Sequence, residues 1–312
     1  MGEIKSPRVS IGMPVYNGER YIRQALDTLV AQTFTDFELI ISDNGSTDST
    51  SEICLEYAAR DKRIRYYRNE RNMGVAWNFN RVFELSSGEY FMCVSHDDWW
   101  APNYLSSCLE ALSSSESIVL AGAMCESVDP ETEKLRFIDQ GLTTVGLCPR
   151  ERFMRYKSTI HGGRHIGGIF CGLYRHDALR EIVLIKKVIG GDHLILAELC
   201  FHGEFITVPQ KLMTKRWGGA SASHKKNASA SGIKNPVLIK FPYFVREILL
   251  QAIILKTDKL TVREKFQLCL WSLNHYVRVC VVRSARRKFQ GPLNWVKSIP
   301  RQLLGNIRMW LA

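Results

Sequence analysis

No stretch of this chain approaches the roughly 20 consecutive apolar residues that a bilayer-crossing helix needs. The first residues, Met1-Gly2-Glu3-Ile4-Lys5-Ser6-Pro7, contain no apolar core of the kind a secretory signal carries, so none is expected. Nine cysteines are present, but none forms a CxxC pair, which removes the zinc-ribbon and thioredoxin-like readings. Their number is odd, and Cys93, Cys171 and Cys269 lie in apolar runs. That pattern suits buried free thiols in a reducing cytosol better than disulfides. Two phosphate-cradling glycine loops are also missing. After the first strand-like run the chain reads Gly12-Met13-Pro14-Val15-Tyr16-Asn17 where a dinucleotide fold would want GxGxxG, and GxxxxGK[ST] occurs nowhere. Acids are scarce in one region: residues 240–312 hold fourteen Lys/Arg against Glu247, Asp258 and Glu264. The whole net charge of +11 therefore sits in that last quarter, and the remaining chain is neutral. A neutral body with a basic tail suggests two jobs.

What is present begins with Ser95-His96-Asp97-Asp98-Trp99-Trp100, which follows the apolar run Tyr90–Val94. Strand side chains alternate, so adjacent carboxylates at a strand end leave it in different directions. One can hold a hard cation such as Mg²⁺ or Mn²⁺, which takes oxygen ligands and commonly binds phosphates as well. The plainer alternative is an acidic turn, where Asp is common. The surrounding elements decide between them. Arg8–Met13, Phe37–Ile41, Ile64–Tyr67 and Tyr90–Val94 read as strands. Helices are expected over Glu19–Gln32, Asp48–Arg60, from Asn72 to Leu85, and from Pro102 to Leu112. This alternation implies a mostly parallel sheet with helices on both faces. Ligands of such sheets bind outside the carboxyl ends of the strands. Pro14–Asn17, Asp43–Ser46 and Asp97–Asp98 all fall at such ends, so a nucleotide-type site is the better reading.

Taken together, Pro14-Val15-Tyr16-Asn17, Asp43-Asn44-Gly45-Ser46-Thr47-Asp48, Asn72-Met73-Gly74 and His96-Asp97-Asp98-Trp99-Trp100-Ala101-Pro102 resemble the motif series of glycosyltransferase family 2. The resemblance is strong over residues 7–105 and fades by about 220. It implies a GT-A fold, Rossmann-like with a mostly parallel sheet flanked by helices. It also implies a nucleotide-diphosphate sugar donor and inversion at the anomeric carbon. Carried over, Asp43 contacts the nucleotide base, with Pro14, Tyr16, Asn17 and Asn72 lining the same pocket. Asp97 contacts the ribose or metal, and Asp98 is the main metal ligand, for Mn²⁺ or Mg²⁺. The plainer readings are turn-shaping for Pro14 and Gly45, a cap on the first helix for Asn17, and a helix start for Asp48.

Beyond Ser117 the sequence breaks into short strand-like pieces, Ile118–Ala121 and Leu135–Ile138, and a glycine-rich stretch from Gly162 to Gly168 precedes a strand over Ile169–Tyr174. His161, Arg164 and His165 are exposed candidates there. Asp192, at the start of the apolar helical run Leu194–Cys200, matches the family's general base, although Gly191 stands where the family often has Glu. An acceptor hydroxyl must lose its proton as it attacks, and a carboxylate can take it. Arg216 is expected to meet the diphosphate. Trp217 follows where relatives often carry a metal-ligating histidine; His224 is a substitute if its segment folds over the nucleotide, and otherwise a surface histidine in a linker.

The division expected is a catalytic domain over 1–222, a flexible linker or lid over 223–236, and a helical basic extension over 237–312. In that extension Phe241, Val245, Ile248, Leu249, Ala252 and Ile253 share one face, as do Phe266, Cys269, Leu270, Leu273 and Val277. The segment from Pro292 to Ala312 adds Trp295 and Trp310 among basic residues. Such helices fit an anionic membrane surface; the alternative is packing on the body or on a second copy. No nucleic-acid motif accompanies the charge. The expected function is an inverting, metal-dependent transferase acting on a lipid-linked glycan in surface-polysaccharide synthesis, peripheral on the inner face of the cell membrane. UDP- or dTDP-sugars are the favoured donors. Rivals are a sugar-nucleotide nucleotidyltransferase and a non-catalytic sugar-nucleotide binder.

Overall fold

The computed structural model describes residues 6–161, 167–182, 188–217, 233, 235, 238 and 240–286. Among these residues nine strands form one sheet. Its order is β3 (Ile64–Arg68), β2 (Phe37–Asp43), β1 (Val9–Val15), β4 (Tyr90–Cys93), β8 (Leu173–Arg175), β6 (Ile118–Val128), β9 (Glu204–Arg216) and β5 (Trp99–Trp100). A further strand, β7 (Leu135–Asp139), pairs with β6 off this path. The first four strands in this order run parallel, β8 runs antiparallel to both β4 and β6, and β6 and β9 are parallel. The architecture is the α/β arrangement expected from the alternating pattern.

Strand alternation divides the core in two. Leu39 and Ile41 of β2, Ile11 and Met13 of β1 and Met92 of β4 meet α1 (Ile22–Val30) and α4 (Tyr104–Ser113) on one face. Ile40, Phe91 and Cys93 point to the other face. There they meet α3 (Val75–Glu84), α5 (Pro149–His161) and α8 (Gly191–His202). A strand covered on both faces must be apolar throughout, which is why β2 reads as a nearly unbroken hydrophobic run. Gly12 lets α3 lie close on β1, since a Cβ there would sit 2.7 Å from Val82 Cγ2.

The two remaining long helices belong to the basic region. In α9 (Pro242–Lys256), Leu249, Leu250, Ile253 and Ile254 join the second core beside α8. In α10 (Val262–Arg286), Leu268, Ser272 and Tyr276 face inward. The fully buried Lys157 ammonium of α5 ties the three helices together. It donates to Glu247 Oε2 at 2.7 Å and Oε1 at 2.9 Å, and to the Ser272 carbonyl at 2.9 Å. Both helices thus pack on the body. The α10 face singled out by periodicity, through Phe266, Leu270, Leu273 and Val277, is the outward one.

Two expectations are corrected. The expected strand over Ile169–Tyr174 is a one-turn helix, α6 (Gly167–Phe170), followed by the short β8. Gly168 and Gly172 allow this, because they press against the Ala123 and Ala121 carbonyls of β6. The helix α5 was not expected, and its signal is thin. Its buried face mixes Phe153 and Tyr156 with the charged side chains of Arg152 and Lys157, so no apolar stripe stands out.

Candidate active site

The carboxyl ends of β1 and β2 stand in register, Val15 opposite Asp43, so the loops after them meet. Asn17 takes a left-handed φ of 51°. Its backbone N–H donates to Ser46 Oγ at 3.0 Å, and its side-chain oxygen accepts the Thr47 N–H at 2.9 Å. It therefore joins two rim loops and does not cap α1. Gly18 donates to Thr50 Oγ1 at 2.8 Å and is packed so tightly that a Cβ would lie 2.7 Å from the His96 ring. Asp48 holds the start of the helix α2 (Thr50–Arg60), accepting the Thr50 N–H at 3.1 Å and the Glu19 N–H at 3.2 Å.

Asp43 is placed on this rim but turned inward, with no accessible surface. One carboxylate oxygen accepts the Ser46 N–H at 2.8 Å, and the other accepts the Tyr66 hydroxyl at 2.7 Å. In this arrangement Asp43 builds the turn behind the pocket. The surface offered to a ligand is the half-exposed Tyr16 ring, with Asn72 exposed nearby. Asn72 is linked to the same loop, because its oxygen accepts from Asn44 Nδ2 at 2.9 Å. Pro14 is half-buried within β1.

The adjacent aspartates differ as strand geometry requires. Asp97 is half-buried, and its carboxylate accepts the Ser95 hydroxyl. Asp98 is 1% exposed. Its Oδ1 accepts the Arg216 N–H at 3.2 Å, while its Oδ2 is buried with no hydrogen-bond partner. The Lys215 ammonium stands 3.7 Å from that oxygen. Burial pushes the Asp98 carboxyl up to about 7, against the pull of Lys215, and the Asp97 charge adds to the rise. Asp98 in turn raises Lys215. An orphaned, desolvated carboxylate oxygen is costly unless something cationic meets it. Among the described residues no cluster of three or more His, Cys, Asp or Glu could hold a metal. Two carboxylates suffice for Mg²⁺ or Mn²⁺ when a ligand's phosphates and water complete the shell, so the donor set fits such an ion.

Alternation along β9 sends Lys215 and Arg216 to opposite faces. The Arg216 guanidinium lies 4.2 Å from the Tyr21 ring centre and 4.5 Å from that of Trp99. It donates to the Asp97 carbonyl at 2.7 Å, to Glu133 Oε1 at 2.8 Å, and to Gln24 Oε1. Arg216 is thus a buried brace under the Asp97 turn. The basic side chain nearest the Asp98 carboxylate is Lys215. Trp217 packs edge-on against Phe137 at 5.1 Å. His224, Arg164 and His165 lie outside the described residues, as does the side chain of His161.

Asp192 stands half-buried in the first turn of α8, at its positive dipole end. Gly190 before it has φ 79°, and a Cβ there would lie 3.1 Å from the Arg246 guanidinium of α9. The Tyr156 hydroxyl donates to the His193 carbonyl at 2.8 Å, which makes His193 a packing residue. The buried Cys171 thiol shows how the charges gather. Burial raises it to about 12, Lys215 opposes, and Asp98, Asp97 and Asp192 add. All four charged groups thus lie within electrostatic reach of one buried thiol. Sequence reasoning missed Tyr66, Lys215 and Arg246. Tyr66 pairs with Ile41, which shares a strand face with Asp43, and Lys215 follows from alternation along β9, whereas Arg246 arrives only through the packing of α9.

The sequence model described as Glycosyl transferase family 2 matches residues 10–183. An uncharacterized glycosyltransferase of Rickettsia typhi is 38% identical over 136 residues, 43% of this chain. The match spans only 41% of that relative's own length. Among solved structures, S. aureus TarS 1–349 in complex with UDP has a TM-score of 0.63 at 19% identity, over 86% of this chain and 71% of that one. Mannosyltransferase PcManGT from Pyrobaculum calidifontis, in complex with GDP-Man and Mn²⁺, has a TM-score of 0.51 at 16% identity, over 99% and 81%. At these identities the structural likeness speaks to the fold alone, which is of the GT-A type.

Proposed function

The chain belongs to glycosyl transferase family 2, and from that premise we propose that it moves a sugar from a nucleotide-diphosphate donor to a hydroxyl, with inversion. The observation that carries the reading is Asp98, a desolvated carboxylate with one oxygen that accepts no hydrogen bond, at the carboxyl rim of the parallel strands. Asp98 and Asp97 would hold Mn²⁺ or Mg²⁺, which when bound neutralises charge on the departing diphosphate. The nucleoside would lie along Tyr16, Pro14, Asn17 and Asn72, with Asp43 fixing their loop and Lys215 meeting phosphate charge.

Asp192 is the proposed general base. The acceptor oxygen forms a bond to the anomeric carbon as the bond from that carbon to the diphosphate oxygen breaks. The hydroxyl proton passes to the Asp192 carboxylate, and the electron pair leaves with the nucleoside diphosphate. For the acceptor we propose a lipid-linked glycan in surface-polysaccharide synthesis, reached at the inner face of the cell membrane. The concentration of basic charge after residue 240 supports this placement. Among the described residues no helix is long and apolar enough to cross a membrane.

Calorimetric titration with uridine, thymidine and guanosine diphosphates, with Mn²⁺ and then with chelator, tests the donor site. One nucleotide, uridine or thymidine diphosphate, is expected to bind, and to be lost on chelation. In Asp98→Asn the metal-dependent part of that affinity should vanish. Failure of all three to bind the unmodified chain overturns the reading.

A further inference from the structure

The helix α10 has two apolar faces, and the fold uses one. Leu268, Ser272 and Tyr276 are buried against α5 and α9, while on the far side Val262, Phe266, Leu270, Leu273 and Val277 are 84, 65, 53, 49 and 49% exposed. Spacings of four, four, three and four residues align them in one stripe about 22 Å long. Isolated exposed apolar residues are ordinary, but a contiguous row on a helix already anchored by its other face marks an interaction surface. Arg263 and Arg278 lie exposed beside the stripe.

We propose that this stripe seats in the headgroup–acyl boundary of an anionic lipid surface, with α10 lying in the membrane plane. The proposal rests on the reading that the acceptor is reached at a membrane. Charge selects lipid over a second copy of the chain. Residues 240–312 carry fourteen Lys/Arg against three acids, and α10 leads directly into Arg287 and Lys288. Residues 287–312 then contain Trp295, Trp310, three more basic residues and no acid. Two copies meeting along the stripe would bring two strongly positive surfaces together. Anionic headgroups answer the same charges, and Trp favours that interface. Because α10 is fixed to α5 through Lys157, Glu247 and Ser272, the docked helix would carry the catalytic rim at a set height and tilt.

The test is co-sedimentation of the full chain with phosphatidylcholine vesicles, alone or with about 30% phosphatidylglycerol. The comparison is a variant carrying Phe266→Ser, Leu270→Ser and Leu273→Ser. These side chains are exposed, so an unchanged melting temperature is expected. The unmodified chain should bind anionic vesicles at least about tenfold more tightly than neutral ones, and the variant should lose about tenfold or more of that affinity. Metal-dependent nucleotide binding is measured on the same samples; its absence strikes the donor reading, and its persistence in the variant shows an intact fold. Equal vesicle binding by variant and unmodified chain overturns the proposal. So does a concentration-dependent dimer that the variant dissociates while vesicle binding is untouched.

Discussion

Lys215 and Arg216 are neighbours with opposite surroundings, and they separate binding from stability at the scale of one residue. Arg216 is 5% exposed and braces the Asp97 turn, while Lys215 stands beside the orphaned Asp98 oxygen. Arg216→Met should therefore lower stability by about 1–3 kcal/mol, since Glu133, Gln24 and the Asp97 carbonyl lose a donor. Lys215→Met also takes the counter-charge from the buried Asp98, and it should weaken diphosphate binding, which Arg216→Met should not. Calorimetry and a thermal melt on both variants check this, and equal loss of nucleotide affinity would sink the distinction. Asp192→Asn is expected to keep donor affinity and lose about 10²–10⁴ in turnover, because only the proton acceptor is removed. A turnover number like that of the unmodified chain would eliminate Asp192 as base.

At the scale of elements, one pairing gives a pH prediction. Glu38 on β2 is buried, which by itself raises its carboxyl. The Ser10 hydroxyl at 2.6 Å, Arg65 at 2.5 Å and the Ser87 hydroxyl at 2.9 Å outweigh that and hold it below the ordinary value. A carboxyl lowered on folding stabilises above its unfolded value, and that contribution is lost as pH falls through the folded value. Glu38→Gln should cost about 1–2 kcal/mol at neutral pH, with the deficit shrinking once pH drops below the glutamate range. Denaturant titrations at neutral and acidic pH measure it; a deficit independent of pH contradicts the account. The first four strands and the helices through α4 were legible because each repeats one pattern, an apolar run and then an amphipathic turn ending in polar rim residues, whereas the two-residue β5 is too short to carry any period. Where burial is carried by backbone contact, as at Gly168 and Gly172, or by a buried ammonium, as at Lys157, the sequence has no apolar periodicity to read. The same limit applies at the site. Asp97, Asp98 and Asp192 were visible as residues, but the inward turn of Asp43 and Arg216 depends on Tyr66, Tyr21 and Trp99, which are distant in sequence.

For the whole molecule, the question is whether the basic region is an appendage or part of the folding unit. Leu249, Leu250, Ile253 and Ile254 of α9 are at most 8% exposed, and all lie in the core that α5 and α8 also line. Burying each contributes about 1.5–3 kcal/mol, so together they contribute roughly 6–12 kcal/mol, comparable to the whole stability of a typical domain of about 5–15 kcal/mol. Losing Glu247 would add about 3–5 kcal/mol by leaving the Lys157 ammonium buried without its counter-charge. A chain ending at residue 236 should therefore fail to melt cooperatively, or aggregate, although every motif shared with the family is still present. Circular dichroism melts of the two lengths decide it. A cooperative transition at the full chain's temperature would show that the core around α8 closes without α9. The expected loss would instead mean that the helices carrying the basic charge also hold α8, and with it Asp192, in place.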